Sequence, residues 1–131
     1  MKLLLDTHIV LWTVGKSERL GRALKRVLEN PRNELWISPV STWEIVLLHE
    51  KGRIRMDASP ETWWRKAMAD TPLREAPLTH EIALATRSVG LAHADPADRL
   101  LVATALIHGL TLATADRKLG STKTVPVLLN R

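Results

Sequence analysis

The apolar positions of this chain follow two alternating periods, and the alternation predicts an α/β fold. Leu3, Leu4 and Leu5 form an unbroken apolar run, as in a parallel strand covered on both faces. Helical stretches follow from Thr7 to Val14 and from Ser17 to Glu29, the second with Ser17 as its N-cap. Asn30-Pro31-Arg32-Asn33 reads as a turn and Leu35-Trp36-Ile37 as a second strand. Ser38-Pro39 and Ser59-Pro60 each place a capping hydroxyl before a proline at the first helical position. Their helices run to about Lys51, where Gly52 intervenes, and to about Ala69. Leu73 to Ala76 predict a third strand, and Thr79 caps a helix to about Val89 that Gly90 stops. Asp95-Pro96 opens another helix to Ile107, closed by His108-Gly109. Thr111 to Ala113 and Val125 to Leu128 supply the last two strands. Such alternation implies crossover units and a parallel sheet. Ligands of these sheets bind outside the carboxyl ends of the strands.

Four carboxylates stand out against this pattern. Asp6 closes the first apolar run, and Asp116 follows the run Leu110 to Thr114. Asp98 falls in the first turn of the helix opened by Asp95-Pro96. Glu44 is the only charge between Pro39 and Leu48. Each has a bland alternative. Asp6 can cap the helix at Thr7, Asp116 can cap a turn at Arg117-Lys118-Leu119, and Asp95 reads mainly as a cap. Arg99 and Arg117 can pair with Asp98 and Asp116 as a structural network. Glu44 resists this treatment, because Ser38-Pro39 is a better helix start than Ser41 and leaves Glu44 too far in to cap. A carboxylate in such apolar surroundings needs a partner, and a cation is the natural one. Acids gathered on one sheet rim repel one another unless a divalent ion neutralises them. Hard oxygen donors suit Mg²⁺ or Mn²⁺, which can activate water and orient a phosphate.

Composition narrows the partners. The 131 residues suffice for one domain with its own core, and no cysteine is present, which excludes disulfides and thiolate metal sites. No apolar run approaches a membrane span, so a cytoplasmic location is expected. Net charge is +5, which favours a polyanionic partner. Lys51, Arg53 and Arg55 form one basic cluster, read singly as a solvated face. The aromatic residues are five tryptophans, Trp12, Trp36, Trp43, Trp63 and Trp64; base stacking is possible, but most fit core positions. The five histidines, His8, His49, His80, His93 and His108, show no metal-ligand spacing. There is no Gly-rich phosphate loop and no Gly-x-Ser-x-Gly elbow, against a nucleotide triphosphatase or serine hydrolase.

Four segments together resemble the PIN-domain family, and within it the VapC-type toxins. They are Leu3-Leu4-Leu5-Asp6-Thr7-His8, Ser38-Pro39-Val40-Ser41-Thr42-Trp43-Glu44-Ile45, the stretch His93 to Ala105, and Leu112-Ala113-Thr114-Ala115-Asp116. The resemblance spans nearly the whole chain. It implies one PIN-like nuclease domain over residues 1–131, with a three-layer α/β/α fold on a five-stranded parallel sheet. It also implies Mg²⁺-dependent endoribonuclease activity, with Mn²⁺ able to substitute. The family's acidic positions fall on Asp6, Glu44, Asp98 and Asp116 as catalytic and metal-binding residues, with Thr114 and Thr7 as supporting or substrate contacts. The expected partners are RNA, a cognate antitoxin and a second copy in a homodimer, with operator DNA bound only through the antitoxin complex. Ala97 departs from the family, which commonly carries a bulky aromatic there. The rival readings are a DNA or structure-specific nuclease on the same site and a non-catalytic module whose acids only cap helices.

Overall fold

A computed structural model describes residues 1–90 and 95–131; His93 and Ala94 of the third motif lie outside the described residues. Five parallel strands run in the order β3-β2-β1-β4-β5, with β1 at Lys2–Leu5, β2 at Glu34–Ile37, β3 at Leu73–Glu75, β4 at Thr111–Thr114 and β5 at Val127–Leu129. The helices are α1 (Thr7–Val14), α2 (Arg22–Glu29), α3 (Pro39–Glu50), α4 (Pro60–Asp70), α5 (His80–Ala85), α6 (Pro96–His108) and α7 (Arg117–Gly120). From β1 the chain steps outward through β2 and β3, then returns to lay β4 and β5 on the other side. The reversal falls between β1 and β4, so a crevice opens at their carboxyl ends.

Side-chain alternation along the strands builds two cores. Leu4 and Leu112 face one, with Ile82 of α5 and Leu101 and Val102 of α6. Leu3, Leu5 and Ala113 face the other, with Ile9 and Val10 of α1, Leu24 and Leu28 of α2 and Ile45 of α3. Both faces of β1 are therefore dry, which explains its unbroken leucines. This is the expected α/β/α arrangement. Ala97 is buried within the first core and packs as a small residue there.

Element boundaries match the sequence pattern closely, with four informative differences. The stretch from Ser17 to Glu29 is not one helix: a 3-10 turn at Ser17–Arg19 precedes α2, and Gly21 is extended between them. The cause is tertiary. A Cβ on Gly21 would lie 1.8 Å from the carbonyl oxygen of Arg131, so the chain end packs where a side chain would stand. Asn130 clasps the break, accepting from the Gly21 N–H at 2.6 Å and donating to the Arg19 carbonyl at 3.2 Å. Beyond α5, a 3-10 turn at Thr86–Ser88 replaces the last helical residues expected before Val89. β5 begins two residues later than its apolar run, although the Pro126 carbonyl still accepts from the Leu112 N–H at 2.9 Å. None of the five tryptophans is fully buried: Trp12, Trp36 and Trp63 are partly buried and pack against the cores, whereas Trp43 is 56% exposed and departs from the core assignment. Aliphatic side chains fill both cores instead.

Replacing Asn130 with alanine should destabilise the fold by about 1 kcal/mol, because the partly buried Gly21 N–H and the exposed Arg19 carbonyl lose their partner. Urea denaturation measures this, and an unchanged midpoint would mean that the clasp does not hold the break.

Candidate active site

The site is assembled from strand ends and first helical turns. Asp6 follows β1 directly and Asp116 follows β4 after Ala115, and Leu5 pairs with Ala113 in the register between the two strands. Glu44 projects from α3 and Asp98 from the first turn of α6. All four line one cleft of about 360 Å³, floored by the buried Leu101 and Leu119. Thr7 and the capping residue Asp95 line it as well. The convergence expected from sequence is thus observed.

Two threonines organise the acids. The Thr114 hydroxyl donates to Asp6 Oδ2 and accepts from the Asp116 N–H at 3.0 Å, tying the two strand ends together. Asp6 Oδ1 accepts from the Ile9 N–H at 3.0 Å, so this residue is both helix cap and site acid. The Thr7 hydroxyl donates to Glu44 Oε1 at 2.5 Å, joining α1 to α3. Asp116 caps α7 through the Lys118 N–H at 2.9 Å, and Asp95 caps α6 through the Ala97 N–H at 2.9 Å. Capping and site membership were posed as alternatives. Here they coincide, because a carboxylate that orients one oxygen on a helix terminus still presents lone pairs to the cleft.

No arginine neutralises the cluster among the described residues. Arg99 turns away from Asp98 and donates through Nη2 to the Thr86 carbonyl at 2.9 Å. The ion pair found among those residues joins Arg74 and Glu34 at 3.6 Å, away from the cleft. The electrostatic consequence is direct. Burial raises the Asp6 carboxyl above its ordinary range, against the hydrogen bond from Thr114. Burial likewise raises Glu44, opposed by Thr7 and reinforced by Asp95 and Asp6. Asp98 is pushed up to about 6 by burial, then by repulsion from Glu44, Asp116, Asp95 and Asp6.

These donors are hard oxygens in mutual repulsion, which fits a hydrated divalent cation. Among the described residues no group of three His, Cys, Asp or Glu side chains forms a ready-made ion cage. The acids instead ring an open cleft, an arrangement that leaves room for retained waters. Lys51 and Arg53 also line the cleft, a placement that sequence reading missed by treating their cluster as a solvated face. The signal was their position just beyond α3, which brings Glu44, Leu47 and Leu48 to the cleft. His8 lines the cleft too.

The PIN domain model matches residues 3–124. Ribonuclease VapC22 of Mycobacterium tuberculosis is 34% identical over 120 residues, covering 91% of this chain and 90% of that protein. VapBC2 from Rickettsia felis, solved bound to a promoter DNA fragment, shares the fold with a TM-score of 0.72 at 16% identity, covering 100% of both chains. DNA-bound VapBC from Salmonella typhimurium gives 0.69 at 19% identity, over 98% of this chain and 97% of that one. The chain belongs to the PIN-domain family, and its sequence is VapC-like. Among the described residues no helix is long and apolar enough to cross a membrane.

The Asp98 shift carries a sign that can be tested. With its pKa raised from 3.8 to about 6 in the folded chain, protonation of Asp98 favours folding. That contribution is fully present below the unfolded value and is lost as pH rises through about 6. In chelator-treated protein, the wild type should therefore lose thermal stability between about pH 4 and pH 6.5. Asp98→Asn should flatten this loss and melt higher at neutral pH. Calorimetry across that range checks it; parallel wild-type and variant curves would contradict the origin assigned to the shift.

Proposed function

We propose that this chain is the ribonuclease toxin of a toxin–antitoxin pair, a divalent-metal-dependent endoribonuclease. The observation that carries the reading is the convergence of Asp6, Glu44, Asp98 and Asp116 on one cleft, with none of them in an ion pair among the described residues. Membership of the PIN-domain family and likeness to a ribonuclease supply the reaction class. Residues 1–131 act as one nuclease domain on RNA phosphodiesters, giving 5′-phosphate and 3′-hydroxyl ends. Mg²⁺ is the expected ion, with Mn²⁺ able to replace it.

The chain's own residues divide the work. Asp6, Glu44, Asp98 and Asp116 would hold the ion, directly or through water. When bound, the ion supplies a Lewis acid that activates water and offsets charge developing on the phosphate. Thr114 and Thr7 fix the orientation of Asp6 and Glu44, so these carboxylates need no rearrangement as the substrate arrives. The Asp98 carboxylate has no hydrogen-bond partner among the described residues, so both of its oxygens are available to ion, water or substrate. Lys51 and Arg53 stand at the same cleft to receive phosphate oxygens.

The partner assignments rest on likeness to solved toxin–antitoxin complexes. VapBC complexes from two bacteria share this fold, both on DNA. By analogy we infer a cognate antitoxin, operator DNA bound through the antitoxin complex, and a homodimeric toxin in the cytoplasm.

Asp98→Asn and Asp6→Asn should each lower RNA cleavage by roughly 10²-fold or more while the protein stays folded. Thr114→Val should cost about 10- to 100-fold, since it frees an acid without removing it. Sequencing of RNA ends after induction tests the chemistry. Ends carrying 2′,3′-cyclic phosphate would overturn the hydrolytic route, and full activity in both acid variants would overturn the site.

A further inference from the structure

A second cavity, of about 1130 Å³, adjoins the acidic cleft. His8 and Arg53 line both, so the two are continuous. Its walls come from α1 and the turn after it, the 52–58 loop and α4. Their charge is one-sided: Lys16, Arg19, Arg53, Arg55 and Lys66 face a single acid, Asp57. All five cations are exposed, and none forms an ion pair among the described residues.

Two tryptophans interleave with these cations. Trp12 and Trp63 are half-buried, each packed below on the core formed with Ile9 and Leu24, and each lining the groove above. Their backing fixes the rings, and an aromatic surface beside basic side chains suits bases alternating with phosphates. The His8 ring lies 5.8 Å from Trp12, at the junction with the cleft. A steep change of charge follows from this layout. The cleft repels a phosphodiester through its five carboxylates, whereas the groove attracts the phosphates on one side of it.

We propose that this groove is the track for the single-stranded RNA flanking the scissile phosphate, an inference that rests on the nuclease reading above. The groove anchors the strand and the cleft cuts it. Arg55 and Lys66 contribute as positioning residues, since they line the groove and not the acidic cleft. An acidic protein segment would match the cations too, and Leu11, Ile54 and Met56 would suit its apolar side chains. The opening of the groove beside the acidic cleft, with ring faces set among cations, favours the RNA strand.

The test uses Arg55→Gln combined with Lys66→Gln, two exposed positions whose exchange leaves both cores untouched. Binding of a labelled, mixed-sequence single-stranded RNA is followed by fluorescence anisotropy over a salt series, in an Asp98→Asn background that prevents cleavage. The double variant should bind about tenfold more weakly, with a log–log salt slope shallower by about 1.4, since each single-strand phosphate contact contributes roughly 0.7. In the active background KM should rise while kcat stays, with the melting temperature unchanged. If affinity and slope do not change while the wild type still cleaves RNA, the track is wrong and the nuclease reading stands. The track is also overturned if RNA binding persists but inhibition by the antitoxin is lost, which assigns the groove to a protein segment. A wild type that neither binds nor cleaves RNA overturns the nuclease reading itself.

Discussion

Negative charge crowded into one cleft is the constraint around which this structure is organised. The fold delivers Asp6 and Asp116 to adjacent strand ends because β1 and β4 are neighbours where the sheet order reverses. Glu44 and Asp98 then enter from α3 and α6, the helices that follow the β2 strand and the 79–90 segment. Nothing basic among the described residues pairs with them, and the raised carboxyls of Asp6, Glu44 and Asp98 register the cost. Such a cluster persists because the packed cores on both sides of the sheet hold it.

Neutral donors make the arrangement tolerable without cancelling it. The hydroxyls of Thr7 and Thr114 and the helix-terminal N–H groups satisfy individual oxygens while leaving the net charge in place. An arginine in their position would stabilise the fold and consume the charge that a cation needs. The dual use of Asp6, Asp95 and Asp116 as caps follows the same logic. A helix N-terminus is a weak, fixed positive pole that orients a carboxylate without competing for an ion.

Beyond the cleft the charge changes sign. Lys51 and Arg53 occupy its rim, and the adjoining groove collects further cations beside Trp12 and Trp63. The tryptophans are informative because none is fully buried: Trp12 and Trp63 pack on the core with one side and line the groove with the other. Leucine, isoleucine, valine and alanine fill the interior, and the aromatic surface remains at the periphery. Residues that looked redundant as packing are thereby available for contact.

Much of this was legible in the chain itself. Unbroken leucines announced a strand buried on both faces, and the Ser38-Pro39 and Ser59-Pro60 starts located α3 and α4 to the residue. Glu44 betrayed itself as a lone charge in an apolar helix. These are local properties, set by periodicity, capping chemistry and the cost of burying charge, and neighbours in sequence suffice to determine them. Other features required the folded chain. Gly21 lets the main chain of Arg131 pack where a side chain would stand, and only the assembled fold brings those residues together. Thr114 joins Asp6 across 108 positions, a bridge that exists because β1 and β4 pair in one register. Whether Asp98 meets Arg99 or the other acids depended on helix rotation, which sequence spacing leaves open. Tertiary packing decided it, by turning the guanidinium to the Thr86 carbonyl and leaving the carboxylate facing the cleft.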